Sequence, residues 1–133
     1  GNIEACIYDG TRDKLLSIKE EKHIFQDGIN TKNRYVFYGI NRCNEAGSPV
    51  QQNSTLVRGV VKCKSAVTAT VRIRKRSALG VDIAVINLTN STSAIVSDLD
   101  VDLSSGDELV VYWEQSVDNA DYPVISLYTK ARF

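Results

Sequence analysis

The sequence of 133 residues contains no methionine, only one histidine and only two prolines, and it has no long apolar run. A helix that spans a bilayer needs about 20 consecutive apolar residues, so the sequence excludes a transmembrane helix and predicts no membrane insertion. The sequence also lacks an excess of charge of either sign, because sixteen acidic side chains balance sixteen basic ones. Without an overall positive field, a nucleic-acid partner is not expected.

Side chains for catalysis or metal binding are equally scarce. His23 has no second histidine with which to form a common zinc site or a proton relay, and we expect it to be a surface or edge residue. The three cysteines, Cys6, Cys43 and Cys63, are too far apart for a Cys-x-x-Cys motif. No glycine-rich phosphate loop is present. These absences predict a protein that is not an enzyme and that binds no cofactor and no metal ion.

The length suits a single domain, since 133 residues leave no room for a second core of ordinary size. We therefore assign residues 1–133 to one domain. The chain begins with Gly1 instead of methionine, which predicts that this domain is the C-terminal fragment of a longer protein.

Short segments rich in β-branched and aromatic residues dominate the sequence, and turn-forming residues separate them. The nearest approach to a helical pattern, from Lys14 to Phe25, has charged residues where the apolar stripe of a helix would lie. The predicted strands are Ile3–Tyr8, Leu15–Lys19, Arg34–Ile40, Leu56–Cys63, Val67–Arg76, Val81–Leu88, Ala94–Leu103, Glu108–Val117 and Tyr122–Phe133. About eight to ten short strands at this spacing predict an all-β antiparallel jelly-roll or sandwich.

Alternation of apolar and polar residues assigns the faces of these strands, because neighbouring side chains on a strand point to opposite sides of the sheet. One predicted core face carries Val67, Ala69, Val71 and Ile73. A second carries Leu99, Val101 and Leu103, with aspartates between them.

The segment Glu108–Val117 departs from this alternation. Leu109, Val111 and Trp113 can fill the core, but Val110 and Tyr112 leave a second apolar face on the same strand. A strand that is apolar on both faces is either central in the core or covered from outside. We expect a partner subunit to cover Val110 and Tyr112.

Two period-2 rows of charge are the most informative polar feature. Arg72, Arg74 and Arg76 follow one predicted strand, and Asp98, Asp100 and Asp102 follow another. If the two strands are neighbours, within the subunit or across a subunit boundary, the opposed charges pair and fix the register. We therefore place Arg72, Arg74, Asp98 and Asp100 at an oligomer interface. The alternatives are an arginine patch for an acidic glycan or phosphate, or aspartates that bind a hard cation such as calcium.

The turn at residues 118–123 is the candidate ligand site. Asp118, Asn119, Asp121 and Tyr122 combine carboxylates, an amide and an aromatic ring, which is the chemistry of a sugar-binding site. The same composition is ordinary for a turn. We assign ligand binding to these four residues because loops carry function more often than scaffold strands do.

Three stretches together resemble a known class of protein: Ile7-Tyr-Asp-Gly-Thr-Arg12, the segment from Ser104 to Trp113, and the last strand from Pro123 to Arg132. They are similar to the C-terminal tip or knob domains of tailed-bacteriophage fibres, needles and spikes, which share a tumour-necrosis-factor-like jelly-roll. The resemblance implies a homotrimer at the end of a fibrous stalk. It also implies a virion protein that acts outside the cell, that attaches to a host-surface glycan or protein through its distal loops, and that joins other virion proteins through an upstream part.

Two other functions agree with the same residues. One is a virion structural or decoration protein, whose partner would be the capsid and not the host. The other is a free carbohydrate-binding module.

Overall fold

The computed structural model describes residues 5–133, which form eleven strands and no helix. The strands are β1 (Cys6–Asp9), β2 (Lys14–Gln26), β3 (Arg34–Tyr35), β4 (Phe37–Tyr38), β5 (Asn41–Arg42), β6 (Ser48–Pro49), β7 (Ser54–Lys75), β8 (Ala78–Val96), β9 (Val101–Leu103), β10 (Glu108–Glu114) and β11 (Val124–Arg132). They build one open antiparallel sheet. The all-β class is thus confirmed. Nothing in this part of the chain has the length and apolar character of a bilayer-spanning helix.

Two of the strands are far longer than the sequence predicts. β7 has 22 residues and β8 has 19, and they form one hairpin that pairs from Gly59 with Val96 to Lys75 with Ala78. The predicted breaks inside both strands are irregularities of register instead of chain reversals. Asn90 has φ 45°, a left-handed conformation that asparagine tolerates better than most residues, so a predicted turn is accommodated as a bulge.

The hairpin bends so that its two halves face each other. The first half of β7 pairs with β11, and the second half pairs with β10. Ile86 lies beside Val71 in the second half, yet a β-carbon added to Gly59 in the first half would lie 2.5 Å from Ile86 Cδ1. Glycine is therefore needed at position 59, because the side chain of Ile86 occupies the space from across the core.

One buried cluster fills the space that the bent sheet encloses. Its largest members are Trp113 and Phe25, both fully buried. The predicted core face of Val67, Ala69, Val71 and Ile73 is confirmed, since all four are buried. Leu103 is buried too, whereas Leu99 and Val101 are half-buried against the cluster.

Several predicted strand boundaries are wrong. The segment Leu15–Lys19 is part of β2, which continues to Gln26 because exposed residues alternate with the buried His23 and Phe25. The segment Arg34–Ile40 divides into β3 and β4. Of the predicted strand Ile3–Tyr8, residues 3 and 4 lie outside the described residues, and the remainder overlaps β1.

The second apolar face of β10 is covered by the chain itself. Val110 is fully buried, and a β-carbon added to Gly47 would lie 3.0 Å from Val110 Cγ1, so the chain at Gly47 lies against it. Tyr112 is half-buried and packs edge-to-face on Tyr35, with ring centroids 4.9 Å apart. Val110 thus presents no surface to another subunit. The expectation that a partner subunit covers Val110 is therefore wrong, because the chain itself covers it.

Candidate functional site

The predicted ligand turn is held firmly at one end of the sheet. Ala120 and Thr31 form an antiparallel bridge, with N–O distances of 2.7 and 2.9 Å. The Tyr122 amide donates to the Gly28 carbonyl at 3.0 Å. Asp121 accepts a 2.9 Å hydrogen bond from the Asn30 amide through Oδ1. The turn is therefore fixed against the segment that follows β2.

The structure places two of the four predicted ligand residues, and not all four, in one groove. Asp118 and Asn119 are exposed and line a groove, whereas Asp121 uses its carboxylate to fix the turn. Tyr122 is exposed but does not line the groove, and its ring centroid lies 6.0 Å from Lys64 Nζ.

The groove beside this turn consists of two adjoining depressions of about 510 and 350 Å³ that share Thr68, Gln115 and Ser116. We call it the loop groove. Its lining is Asn33, Ser65, Ala66, Val67, Thr68, Ala69, Thr70, Asn90, Glu114, Gln115, Ser116, Val117, Asp118 and Asn119. Sequence reasoning missed most of these residues, because the fold brings them together from β7, the bulge of β8 and the chain after β10.

Gln115 holds one wall of the loop groove in place. Its side-chain oxygen accepts a 2.9 Å hydrogen bond from Trp113 Nε1, and its side-chain nitrogen donates to the Val117 carbonyl at 3.0 Å. Its backbone amide donates to Asn33 Oδ1 at 2.9 Å. On the opposite wall, the Asn90 amide donates to Thr68 Oγ1 at 3.0 Å. Both walls are thus ordered before any ligand binds, which lowers the entropic cost of binding.

Within the chain, the row of Arg72, Arg74 and Arg76 does not pair with the row of Asp98, Asp100 and Asp102, so that prediction is wrong. Arg72 binds Asp82 at 2.5 Å and Glu114 at 2.8 Å, and Arg74 binds Asp82 at 2.8 Å. Burial opposes the ionisation of Asp82, but hydrogen bonds from Arg74 and Arg72 outweigh it and lower its pKa. The two arginines are therefore neutralised by their own hairpin and by β10.

The aspartates of the other row lie elsewhere. Lys14 Nζ is 2.6 Å from Asp100 and 2.8 Å from Asp102, and Asp102 also accepts a hydrogen bond from Thr55. Asp98 is exposed and lies outside the strands. Within residues 5–133, no three His, Cys, Asp or Glu side chains come together in a way that would hold a metal ion.

His23 is a buried residue, which corrects the expectation that it lies at the surface or an edge. It is 2% exposed, with Nδ1 2.7 Å from Ser48 Oγ and Nε2 3.0 Å from Thr129 Oγ1. Glu21 Oε1 lies 3.7 Å from Nε2. Ser48, His23 and Glu21 lie next to one another in the order of a nucleophile, a base and an acid. However, Ser48 is only 3% exposed, so a substrate cannot reach its hydroxyl. The arrangement joins β2, β6 and β11 and does not form an open nucleophile site.

We predict that His23 makes the protein less stable as the pH falls from about 6.5 to 5.5. Burial lowers the pKa of His23 in the folded state, whereas an unfolded histidine titrates near 6.5. The unfolded chain therefore takes up the proton first, and stability falls by at most about 1.4 kcal/mol per pH unit. Urea unfolding between these pH values measures the slope. A variant with His23→Asn should lose this slope, and an equal slope in both proteins would show that His23 is not its source.

In comparisons with known proteins, no protein-family model, no curated protein and no solved structure matches the chain. Its function is therefore inferred from the chemistry of the loop groove and of its charged faces.

Proposed function

We propose that this chain is a non-catalytic attachment domain that binds a host-surface glycan in the loop groove. The observation that carries the proposal is the lining of that groove, in which hydroxyl and amide side chains predominate. Sugar hydroxyls both donate and accept hydrogen bonds. Serine, threonine, asparagine and glutamine side chains do the same.

The size and charge of the loop groove agree with a neutral saccharide. Its two depressions, about 510 and 350 Å³, fall within the roughly 300–1,000 Å³ range of small-ligand sites. The lining contains two carboxylates, Glu114 and Asp118, and no lysine or arginine. Glu114 is already bound to Arg72 at 2.8 Å, whereas Asp118 has no ion-pair partner among residues 5–133. The carboxylate of Asp118 therefore opposes an anionic ligand and does not oppose an uncharged one.

The position of the loop groove supports attachment from the tip of a fibre or spike. β1 pairs with the first residues of β2, and the segment that anchors the ligand turn follows the last residue of β2. The 13 residues of β2 span about 40 Å at roughly 3.3 Å per residue. A stalk joined on the β1 side would leave the groove at the distal end.

The complete proposal is a bacteriophage or other viral tip domain with a jelly-roll architecture and a homotrimeric state, located in the virion. The all-β antiparallel sheet, bent around one core, is compatible with that architecture. Sedimentation of the isolated domain at micromolar concentration tests the trimer, and a monomer would contradict that part of the proposal.

The glycan prediction is tested by filling the loop groove. Ser116→Arg places a long side chain at an exposed groove position and should weaken binding to host cells and to arrayed neutral glycans by about tenfold or more. Ser77→Arg is the matched control, because Ser77 is an exposed serine outside the loop groove.

Four outcomes count against the proposal. Equal cell binding by both variants would move the ligand away from the loop groove. Absence of glycan and cell binding by the unmodified domain would contradict attachment, and binding to capsids alone would favour a decoration protein. Release of cleaved sugar would contradict a non-catalytic domain.

A further inference from the structure

The outer face formed by β2, β11 and the first half of β7 carries a concentration of positive charge. The register places Lys22, Tyr128 and Arg58 side by side across these strands. It also places Lys62 beside Val124, and Lys130 beside Glu20. Further along β7, Lys64 lies near Tyr122. We define the basic face by its five cations, Lys22, Arg58, Lys62, Lys64 and Lys130.

Little on this face neutralises that charge. The facing residues of the three strands include one carboxylate, Glu20, which is already bound to Arg58 at 3.1 Å. Among the ion pairs of residues 5–133, none involves Lys22, Lys62, Lys64 or Lys130. By contrast, the arginines of the other half of the sheet are held by Asp82 and Glu114. Unpaired positive charge is therefore concentrated on this face although the formal net charge of the chain is +0, and such a face attracts polyanions.

The side chains of the basic face favour an acidic saccharide over a nucleic acid. Single-stranded nucleic acids bind such faces by stacking successive bases on open aromatic rings. The Arg58 guanidinium carbon lies 3.9 Å from the centroid of the half-buried Tyr128 ring and covers it. Of the two tyrosines Tyr122 and Tyr128, only Tyr122 is therefore open to a base, which is too little for a stacking platform. The free cations are all lysines, which act as compact point charges.

Apolar surface lies between the cations. Ile24 and Val124 are 45% and 38% exposed on the same face. Apolar side chains of this kind can contact the C–H faces of sugar rings while the lysines meet the acidic substituents. Lys62 and Lys64 are two residues apart on one extended strand, which is roughly 6.6 Å.

We propose that the basic face is a second binding site, and that it takes an extended acidic polysaccharide bearing carboxylate or sulfate groups. The site is separate from the loop groove, whose charged lining residues are both acidic. The two sites thus select different saccharide chemistry on one domain. Tyr122, which the sequence assigns to a ligand turn, lies at the loop end of the basic face beside Lys64.

The test compares two charge reversals that alter net charge equally. Lys62→Glu with Lys64→Glu changes two exposed lysines of the basic face, and Lys32→Glu with Arg76→Glu changes two exposed cations outside that face. The probes are heparin, polygalacturonate, dextran and a single-stranded DNA of similar length, titrated at about 50 mM and 200 mM salt. We expect heparin or polygalacturonate to bind, dextran not to bind at this site, and the first variant to lose about tenfold or more in affinity. The second variant should change by less than about twofold.

Three results would overturn the proposal. Equal loss in both variants would show a response to net charge and not to the basic face. Tighter binding of the DNA than of either acidic polysaccharide would assign the face to nucleic acid. If neither heparin nor polygalacturonate binds with a Kd below about 1 mM, a specific site is excluded. Ser116→Arg adds a positive charge and should not weaken heparin binding, whereas it should weaken binding of neutral glycans, so this site and the loop groove are tested independently.

Discussion

Replacement of Trp113 by alanine is expected to lower the free energy of unfolding by about 3–5 kcal/mol, the usual cost of deleting a buried tryptophan side chain. Trp113 is fully buried and is the largest side chain of the core. Its removal leaves a cavity and also leaves the Gln115 side-chain oxygen without the Trp113 donor. Urea unfolding monitored by circular dichroism measures the loss.

Trp113→Phe separates the packing of this ring from its hydrogen bond. Phenylalanine retains an aromatic ring but cannot donate to Gln115, whose side chain fixes the Val117 carbonyl beside the loop groove. We expect a loss of stability of about 1–3 kcal/mol together with weaker glycan binding.

Leu103→Ala is the matched control for both Trp113 variants. Leu103 is buried and pairs beside Ser54, away from the loop groove. This variant should lose about 2–5 kcal/mol without weakening glycan binding in the folded protein. If Trp113→Phe leaves glycan binding unchanged, Gln115 does not support the groove wall through this hydrogen bond.

The buried faces of several strands are predictable from the sequence because period-2 alternation is a local property. Val71 and Ile73 follow it and are buried, and Leu103 does too. The lengths of β7 and β8 were not predictable in this way. Turn-forming residues such as Asn90 signal a break, but in a hairpin that bends around a core they supply the bulge that allows the bend.

The charge partners show where a usable signal was overlooked. A hairpin between the predicted strands Val67–Arg76 and Val81–Leu88 would bring Asp82 close to Arg74, and the structure pairs these two residues. Pairing of Arg72 and Arg74 with Asp98 and Asp100 would need two strands that lie more than 20 residues apart in the sequence to be neighbours in the sheet. Pairing across the nearest hairpin needs no such long-range assumption.

His23 and the loop groove depend on contacts that no local pattern reveals. His23 is surrounded by charged residues in sequence, but it occupies an inward position of β2 and meets Ser48 and Thr129 from two other strands. The groove likewise unites Thr68 with Gln115. Both are consequences of topology, which alternation alone does not determine.

Asp27 links the segment after β2 to the chain around it through charge. Its carboxylate is 1% exposed, binds Arg34 Nε at 3.0 Å and Arg42 Nη1 at 2.6 Å, and accepts the Gly28 amide at 2.7 Å. Arg42 also lies over the Phe37 ring, 3.9 Å from its centroid. The residues that anchor the ligand turn, Gly28 and Asn30, follow directly. Asp27 and its two arginines thus hold β3 and β5 in place, together with the segment that anchors the ligand turn beside the loop groove.

Replacing Asp27 by asparagine is expected to lower the free energy of unfolding by about 3 kcal/mol, because it leaves two guanidinium groups without their shared carboxylate. Burial opposes the ionisation of Asp27, but hydrogen bonds from Arg34, the Gly28 amide and Arg42 outweigh it and lower its pKa. The stabilisation is therefore complete above about pH 4, the value for an unfolded aspartate, and is lost as the pH falls through the lower folded value.

Urea unfolding at neutral pH and at several values between about pH 4 and 2 measures both effects, and the asparagine variant should lose less stability over this acid range than the parent. Asp118→Asn is the control, since it removes an exposed carboxylate and should change stability by no more than about 0.5 kcal/mol. Equal acid sensitivity of Asp27→Asn and the parent would mean that Asp27 and its two arginines contribute little to stability, and that the ligand turn is held without them by its backbone hydrogen bonds and by the Asp121 carboxylate.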